Sequence, residues 1–295
     1  MKATAIEFRL RMIIQIVIVF VAVWAPWSQP WNLKLRMSTL EWLALETGRT
    51  GLIPFSVAVP IVIIFGTLLA SAGAWLRVWG SAYLGYDVVH HSEMQAGGVM
   101  ASGPYRYVRN PLYIGGWFMM AAISLLITPG GALFMDVLIA LFYLRLIFGE
   151  EAYLSAKLGE PYRQYLGAVP RIFPLLRTNV PHAAANPRWF IAVLTEFSAV
   201  GTFLTMATVP WTYNNIAALD GALISFVISL IVRGLIKSPI PTCVFLAIGC
   251  ASWAIAHLSI QRAVLIGFGS ALIVWAVTPH AAGPESKAET ASNER

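Results

Sequence analysis

A chain of 295 residues that is 58% hydrophobic, only 12% charged and of mean hydropathy +0.70 carries more apolar surface than a soluble core can bury. It reads as an integral membrane protein, an all-α polytopic transmembrane helix bundle, and its 11 Trp and 10 Tyr suit the two lipid–water interfaces. The net charge of +6 comes from scattered residues and no basic run, which argues against a nucleic-acid partner.

Lys2, Arg9 and Arg11 precede the apolar run Met12–Trp27, whose end, Trp24-Ala25-Pro26-Trp27, lacks a small-residue cleavage pattern. It therefore reads as a short first span and not as a removed signal. Residues 28–50 are expected as a polar loop anchored by Trp31 and Trp42. Gly51–Trp75 is long enough, at about 1.5 Å per residue, to cross a hydrocarbon core of about 30 Å, and forms the second span. Residues 76–102 mix Arg77, Asp87, His90, His91 and Glu93 with aromatics and glycines, as an interfacial segment does. His90 and His91 lack companion ligands, so no metal site is expected.

Leu112–Thr128 and Ala132–Phe148, separated by Pro129-Gly130-Gly131, predict a helical hairpin, spans three and four. Gly149 is expected to end the fourth. Glu150–Leu166 then reads as a cytosolic amphipathic helix, with Leu154, Leu158, Tyr162 and Leu166 on one face. Pro170 and Pro174 close it. Residues 177–188 form a Pro/Asn/Ala linker. Beyond it Trp189–Val209, Leu219–Ile236, Thr242–Ser259 and Ala263–Val277 bring the spans to about eight. The expected organisation is a core over residues 1–177, an added four-helix membrane module over 178–278 and a disordered tail over 279–295. Cys243 and Cys250 are about 10 Å apart along one helix, too far to bond each other, and read as packing residues.

Of the 20 Lys and Arg, all but Lys34, Arg36, Arg49 and Arg262 fall on the side of the N-terminus in this topology. The positive-inside rule then puts both termini in the cytosol. It also puts the loop Gly103–Gly116 and Glu150 on one cytosolic face.

That loop concentrates Tyr105, Arg106, Tyr107, Arg109, Asn110, Pro111 and Tyr113 in a turn-prone stretch running straight into an apolar span. Singly, its tyrosines suit an interfacial belt and its arginines suit positive-inside charges. Pro111 is compatible with a first helical turn, whose N-terminus favours an anionic group. Arg145 interrupts the apolar run Leu141–Phe148, where it either snorkels to the headgroups or serves an anion. Glu150 lies about 140° around a straight helix from it, so the two are no simple surface pair; they face one cavity if Gly149 ends the helix. Glu150 and Glu151 are either ligand-facing or the solvated first turn of a helix.

Gly103–Gly116 resembles the G-x-Y-x-x-x-R-(H/N)-P-x-Y-x-G signature of the isoprenylcysteine carboxyl methyltransferase and phospholipid methyltransferase superfamily of integral membrane enzymes. Arg145, Glu150-Glu151-Ala152-Tyr153-Leu154, Leu158-Gly159-Glu160-Pro161-Tyr162-Arg163-Gln164-Tyr165 and Val169-Pro170-Arg171 resemble its second block. The likeness covers roughly 51–174. It implies S-adenosylmethionine-dependent methyl transfer, at the cytosolic face, to a lipophilic acceptor arriving from the bilayer. By this resemblance Tyr105, Arg109, Asn110, Pro111 and Tyr113, with Glu150, Glu151, Tyr162 and Tyr165, belong to the cofactor site, and Arg109, Arg145 and Glu150 to catalysis. Asn110 stands where the carboxyl methyltransferases usually have His, keeping a hydrogen-bonding side chain and losing a titrating one.

The cofactor's sulfonium, ammonium and carboxylate call for an anion, a cation and a dry, oriented approach, which Glu150 or Glu151, Arg109 and the tyrosine and proline walls offer. An isoprenylcysteine-like carboxylate acceptor needs no general base; a phospholipid amine or small thiol does, with Glu150 or a tyrosine nearest. Arg145 suits an acceptor that carries an anion. A reading of another class is a non-catalytic membrane scaffold or transporter working through the C-terminal spans.

Overall fold

The computed structural model describes residues 2–24, 36–51, 53–84, 101–181, 186–237, 239, 241–244 and 246. Among the described residues the regular elements are all helical. They are α1 (Ala5–Arg9), α2 (Arg11–Trp24), α3 (Thr39–Arg49), α4 (Phe55–Leu84), a 3₁₀ turn (Gly103–Arg106), α5 (Pro111–Ser124), α6 (Pro129–Leu158), α7 (Glu160–Ala168), α8 (Trp189–Thr195), α9 (Phe197–Thr212) and α10 (Asn215–Lys237). The chain divides into two compact units, Met1–Ser229 and Leu230–Arg295, and the candidate site lies in the first. In the second, Cys243, read as a packing residue, is exposed. Asp87, His90, His91, Glu93, Cys250, the predicted spans beyond Leu246 and the tail lie outside the described residues.

Three described helices are long and apolar enough to cross a membrane: α4, α6 and Asn215–Ile236 of α10. The pair α8–α9 makes a fourth candidate, bent by 71° at its break. The apolar helices α2 and α5 have 14 residues each, about 21 Å at 1.5 Å per residue and shorter than the hydrocarbon core. Ile61, Ile64, Phe65 and Leu68 of α4 and Leu133, Val137 and Leu141 of α6 are exposed. At this spacing they form apolar stripes, as lipid-facing helix surfaces do. The helices are those of an integral membrane protein.

Four boundaries differ from the sequence expectation. The supposed polar loop over 28–50 contains α3, which starts at a capping box: the Ser38 hydroxyl accepts the Glu41 N–H and the Glu41 carboxylate accepts the Ser38 N–H. The second span does not end at Trp75, because α4 continues to Leu84 and carries Arg77 inside it. Gly149 does not end the fourth span; α6 runs through it for 30 residues to Leu158. A glycine inside a helix costs only about 1 kcal/mol, and here the residue at 149 lies against the backbone of Ala3. The break falls instead at Gly159, whose φ of 64° and ψ of −136° lie where a side chain is strained, so the amphipathic segment splits into the end of α6 and a separate α7. Last, Trp189–Val209 is interrupted at Glu196.

Because lipid is as apolar as leucine, helices in a membrane associate through close packing more than through the hydrophobic effect. The seam between α4 and α5 shows how. A Cβ on Gly73 would stand 2.8 Å from the Gly115 carbonyl oxygen, and one on Gly115 2.8 Å from that of Gly73, so the two backbones touch. On one side α6 packs α2 through Ala22, Met135, Ile139, Phe142 and Leu146. On another, Ile63, Ala70, Ala122, Leu125, Met206 and Val209 join α4, α5 and α9. Tight α4–α5 contact brings Arg77 against the first turn of α5, where the candidate site begins.

Candidate active site

The two motif blocks are joined by backbone. The Arg109 N–H donates to the Pro170 carbonyl at 2.9 Å and the Leu175 N–H to that of Tyr107 at 2.9 Å. Side chains add to this zipper: the Asn110 amide donates to the Arg171 carbonyl at 3.1 Å and the Tyr165 hydroxyl to the Tyr105 carbonyl at 2.8 Å. Asn110 also occupies the N-cap of α5 without a side-chain cap bond, and Pro111 opens that helix, as its missing N–H allows. Asn110 thus serves the junction of the blocks. A histidine N–H could donate to the same carbonyl, so the exchange of one for the other carries little information about the acceptor.

Charge is concentrated at the end of α6. The Glu151 carboxylate, 7% exposed, receives Arg171 Nη2 at 2.7 Å and Nε at 3.1 Å, and Arg109 Nη1 at 3.2 Å. Two guanidinium groups on one carboxylate leave the cluster with a net positive charge. The buried Arg109 Nε has no partner. Glu150 points elsewhere and accepts the Tyr113 hydroxyl at 2.7 Å. This bond brings α5 and α6 together at the same end of the hairpin, as the sequence expectation requires.

Tyrosines line the zipper. Tyr162 and Tyr165 lie with ring centroids 5.8 Å apart, both buried. Burial pushes the Tyr162 hydroxyl up to about 12, raises that of Tyr165 further, and holds that of Tyr105 well above the usual phenol range. All three stay protonated near neutral pH and so carry a hydrogen that can be donated. Tyr165 uses its proton on the loop, whereas the Tyr105 hydroxyl is buried without a partner.

A model of the phospholipid methyltransferase family matches residues 61–160. This stretch is what the chain shares with that family of methyltransferases. No curated protein and no solved structure matches the chain significantly. The matched methyltransferase region holds the whole first block and the acidic pair of the second. Tyr162, Tyr165 and Arg171 follow it directly and are tied to it by the bonds above.

One residue that the resemblance assigns to catalysis is not brought to the others. Arg145 donates through Nη2 to both oxygens of Glu7, at 2.7 and 2.9 Å, and the Ala3 N–H donates to the Arg145 carbonyl at 3.0 Å. The expectation that Arg145 and Glu150 share a cavity depended on Gly149 ending the helix. With α6 continuous, the two leave it about 140° apart, and Arg145 meets the N-terminal segment instead.

Conversely, sequence reading passed over a buried pair beside the site. Arg77 Nε donates to Glu196 Oε2 at 2.6 Å, and Arg77 Nη1 donates to the Leu112 carbonyl at 3.3 Å. The Ser81 hydroxyl donates to Glu196 Oε1 at 2.9 Å. Charges inside apolar segments were the available signal: Arg77 in α4 and Glu196 between two apolar helices each mark a place where a partner is needed.

Proposed function

We propose that the chain is an S-adenosylmethionine-dependent methyltransferase acting on a lipophilic acceptor that enters from the bilayer, with its site at the cytosolic face. The observation that carries this reading is the separation of charge at the end of α6: a net-positive Arg109–Glu151–Arg171 cluster beside Glu150, a carboxylate that accepts the Tyr113 hydroxyl. A zwitterionic amino-acid moiety fits such a pair of poles. Two buried donors without partners, the Tyr105 hydroxyl and Arg109 Nε, match a ligand that brings hydrogen-bond acceptors. When bound, S-adenosylmethionine supplies an electrophilic methyl group on a positive sulfonium.

The chain's own residues do the rest. Arg109 and Arg171 hold the carboxylate pole and Glu150 the ammonium pole, while Asn110 keeps the loop against Arg171. Tyr105, Tyr113, Tyr162 and Tyr165 orient the site, and with Pro111 and Val169, both buried, they keep water from it. An isoprenylcysteine-like carboxylate needs no base. A phospholipid amine or a thiol loses a proton, and Glu150 with the Tyr113 hydroxyl is the nearest pair to take it. Arg145, held by Glu7 away from these residues, takes no part in this reading.

Calorimetry of the purified full chain with S-adenosylhomocysteine tests the cofactor: stoichiometric binding is expected, and folded protein that binds none at millimolar ligand sinks the reading. Labelled methyl transfer into extracted membrane phospholipids, compared with transfer to a prenylcysteine analogue, then assigns the acceptor. The scaffold or transporter alternative requires Glu150→Gln, which keeps the fold, to leave the cellular phenotype intact; loss of phenotype in that variant excludes it.

A further inference from the structure

Glu196 stands outside the family-matched region, at the break where α8 and α9 meet at 71°. It is 0% exposed. The bend turns its carboxylate onto α4, where Arg77 and Ser81, four residues apart and so on one helix face, both donate to it. The bend is itself braced, since the Ser229 hydroxyl of α10 donates to the Thr195 carbonyl at 2.9 Å.

The face of α4 that Glu196 reaches is also the one that meets the site. A Cβ on Gly80 would stand 3.4 Å from the partnerless Tyr105 hydroxyl, and one on Gly116 would stand 3.3 Å from Arg77 Nη1 and 2.9 Å from the Tyr143 hydroxyl. Arg77 thus lies between Glu196 and the first turn of α5, holding the Leu112 carbonyl. The next residue, Tyr113, donates to Glu150. A continuous series of contacts runs from Glu196 through Arg77 and Leu112 to the Tyr113–Glu150 bond.

We propose that Glu196 is a positioning residue for methyl transfer: through Arg77 it sets the first turn of α5 and with it Tyr113 and Glu150, so that helices beyond the family-matched region complete the site. The inference rests on the methyltransferase reading. A purely structural ion pair in the membrane is replaceable by apolar residues of similar volume, because removing both charges also removes their desolvation cost. A positioning pair is not, since apolar side chains cannot hold the Leu112 carbonyl.

The test uses the full chain in three forms, wild type, Glu196→Gln and the double variant Arg77→Met with Glu196→Leu, comparing melting temperature, S-adenosylhomocysteine affinity, kcat and acceptor KM. Glu196→Gln is expected to lose about 10- to 100-fold in kcat with acceptor KM little changed, as a small misplacement of reacting groups does. The double variant is expected to melt at or above the wild-type temperature and to stay at least about 10-fold low in kcat. Wild-type kcat in the folded double variant, or in Glu196→Gln, overturns the positioning role and leaves the methyltransferase reading standing. Failure of both variants to fold assigns the pair to folding alone and also overturns the role. Wild-type protein that neither binds S-adenosylhomocysteine nor transfers methyl overturns both readings.

Discussion

Glu150 and Glu151 leave α6 about 100° apart and meet different partners. Glu151 bridges two guanidinium groups, whereas Glu150 accepts one hydrogen bond from a phenol. Their replacement by glutamine therefore has different consequences. Glu151→Gln leaves Arg109 and Arg171 facing each other and is expected to destabilise the chain by about 2 kcal/mol, less than a fully buried pair because Arg171 retains 38% side-chain exposure. Glu150→Gln keeps the melting temperature and weakens S-adenosylhomocysteine about 10- to 100-fold, the loss of a charge-assisted hydrogen bond to the ammonium. Thermal unfolding and calorimetry on the two variants decide between them. The reverse pattern, a stable Glu151→Gln with the larger loss of binding, would move the ammonium to Glu151.

At the scale of elements, the α5–α6 hairpin and its shared end with Glu150 were legible because Pro111, Pro129 and two long, mostly apolar runs left little choice. The start of α3 was missed, although Ser38 and Glu41 stand at capping-box spacing, because the segment's polarity suggested a loop. Arg77 and Gly149 misled for a physical reason: each breaks an apolar pattern locally and is compensated by a distant residue, Glu196 in one case and Ala3 in the other. The Arg145–Glu7 contact has the same origin, because only the folded chain places α1 against α6. That contact has a pH signature. The Glu7 carboxyl lies below its ordinary value of 4.5, held there first by the Thr4 backbone N–H and then by Arg145. A depressed carboxylate stabilises docking of α1 above the ordinary glutamate range and stops doing so as pH falls through the lower folded value. Backbone hydrogen exchange of residues 3–9, corrected for its intrinsic pH dependence, is expected to be slow near neutrality and to accelerate below pH 4.5. Glu7→Gln should show fast exchange at both pH values; an unchanged pH response in that variant refutes the assignment to Glu7.

For the whole molecule, the linker after Arg177 and the compact unit ending at Ser229 propose different places to cut. A core of residues 1–177 lacks Glu196 and strands the Arg77 guanidinium inside α4, beside Ser81 and the Leu112 carbonyl. Breaking a buried pair from one side costs about 3 to 5 kcal/mol, a large part of the 5 to 15 kcal/mol that holds a typical domain together. The shorter chain also loses the α9 residues Met206 and Val209 from the cluster they share with α4 and α5. A chain ending at Ser229 keeps the ion pair, this cluster and the Ser229–Thr195 brace. In detergent, the 1–229 chain is expected to run as a single species with a cooperative melt and to bind S-adenosylhomocysteine, and the 1–177 chain to aggregate. If the 1–177 chain is monodisperse and binds the ligand as the full chain does, the methyltransferase core ends at the linker and the helices after it serve some other purpose. If Arg77→Met rescues the 1–177 chain's folding but not its binding, the stranded charge explains the aggregation, and the missing helices explain the lost site.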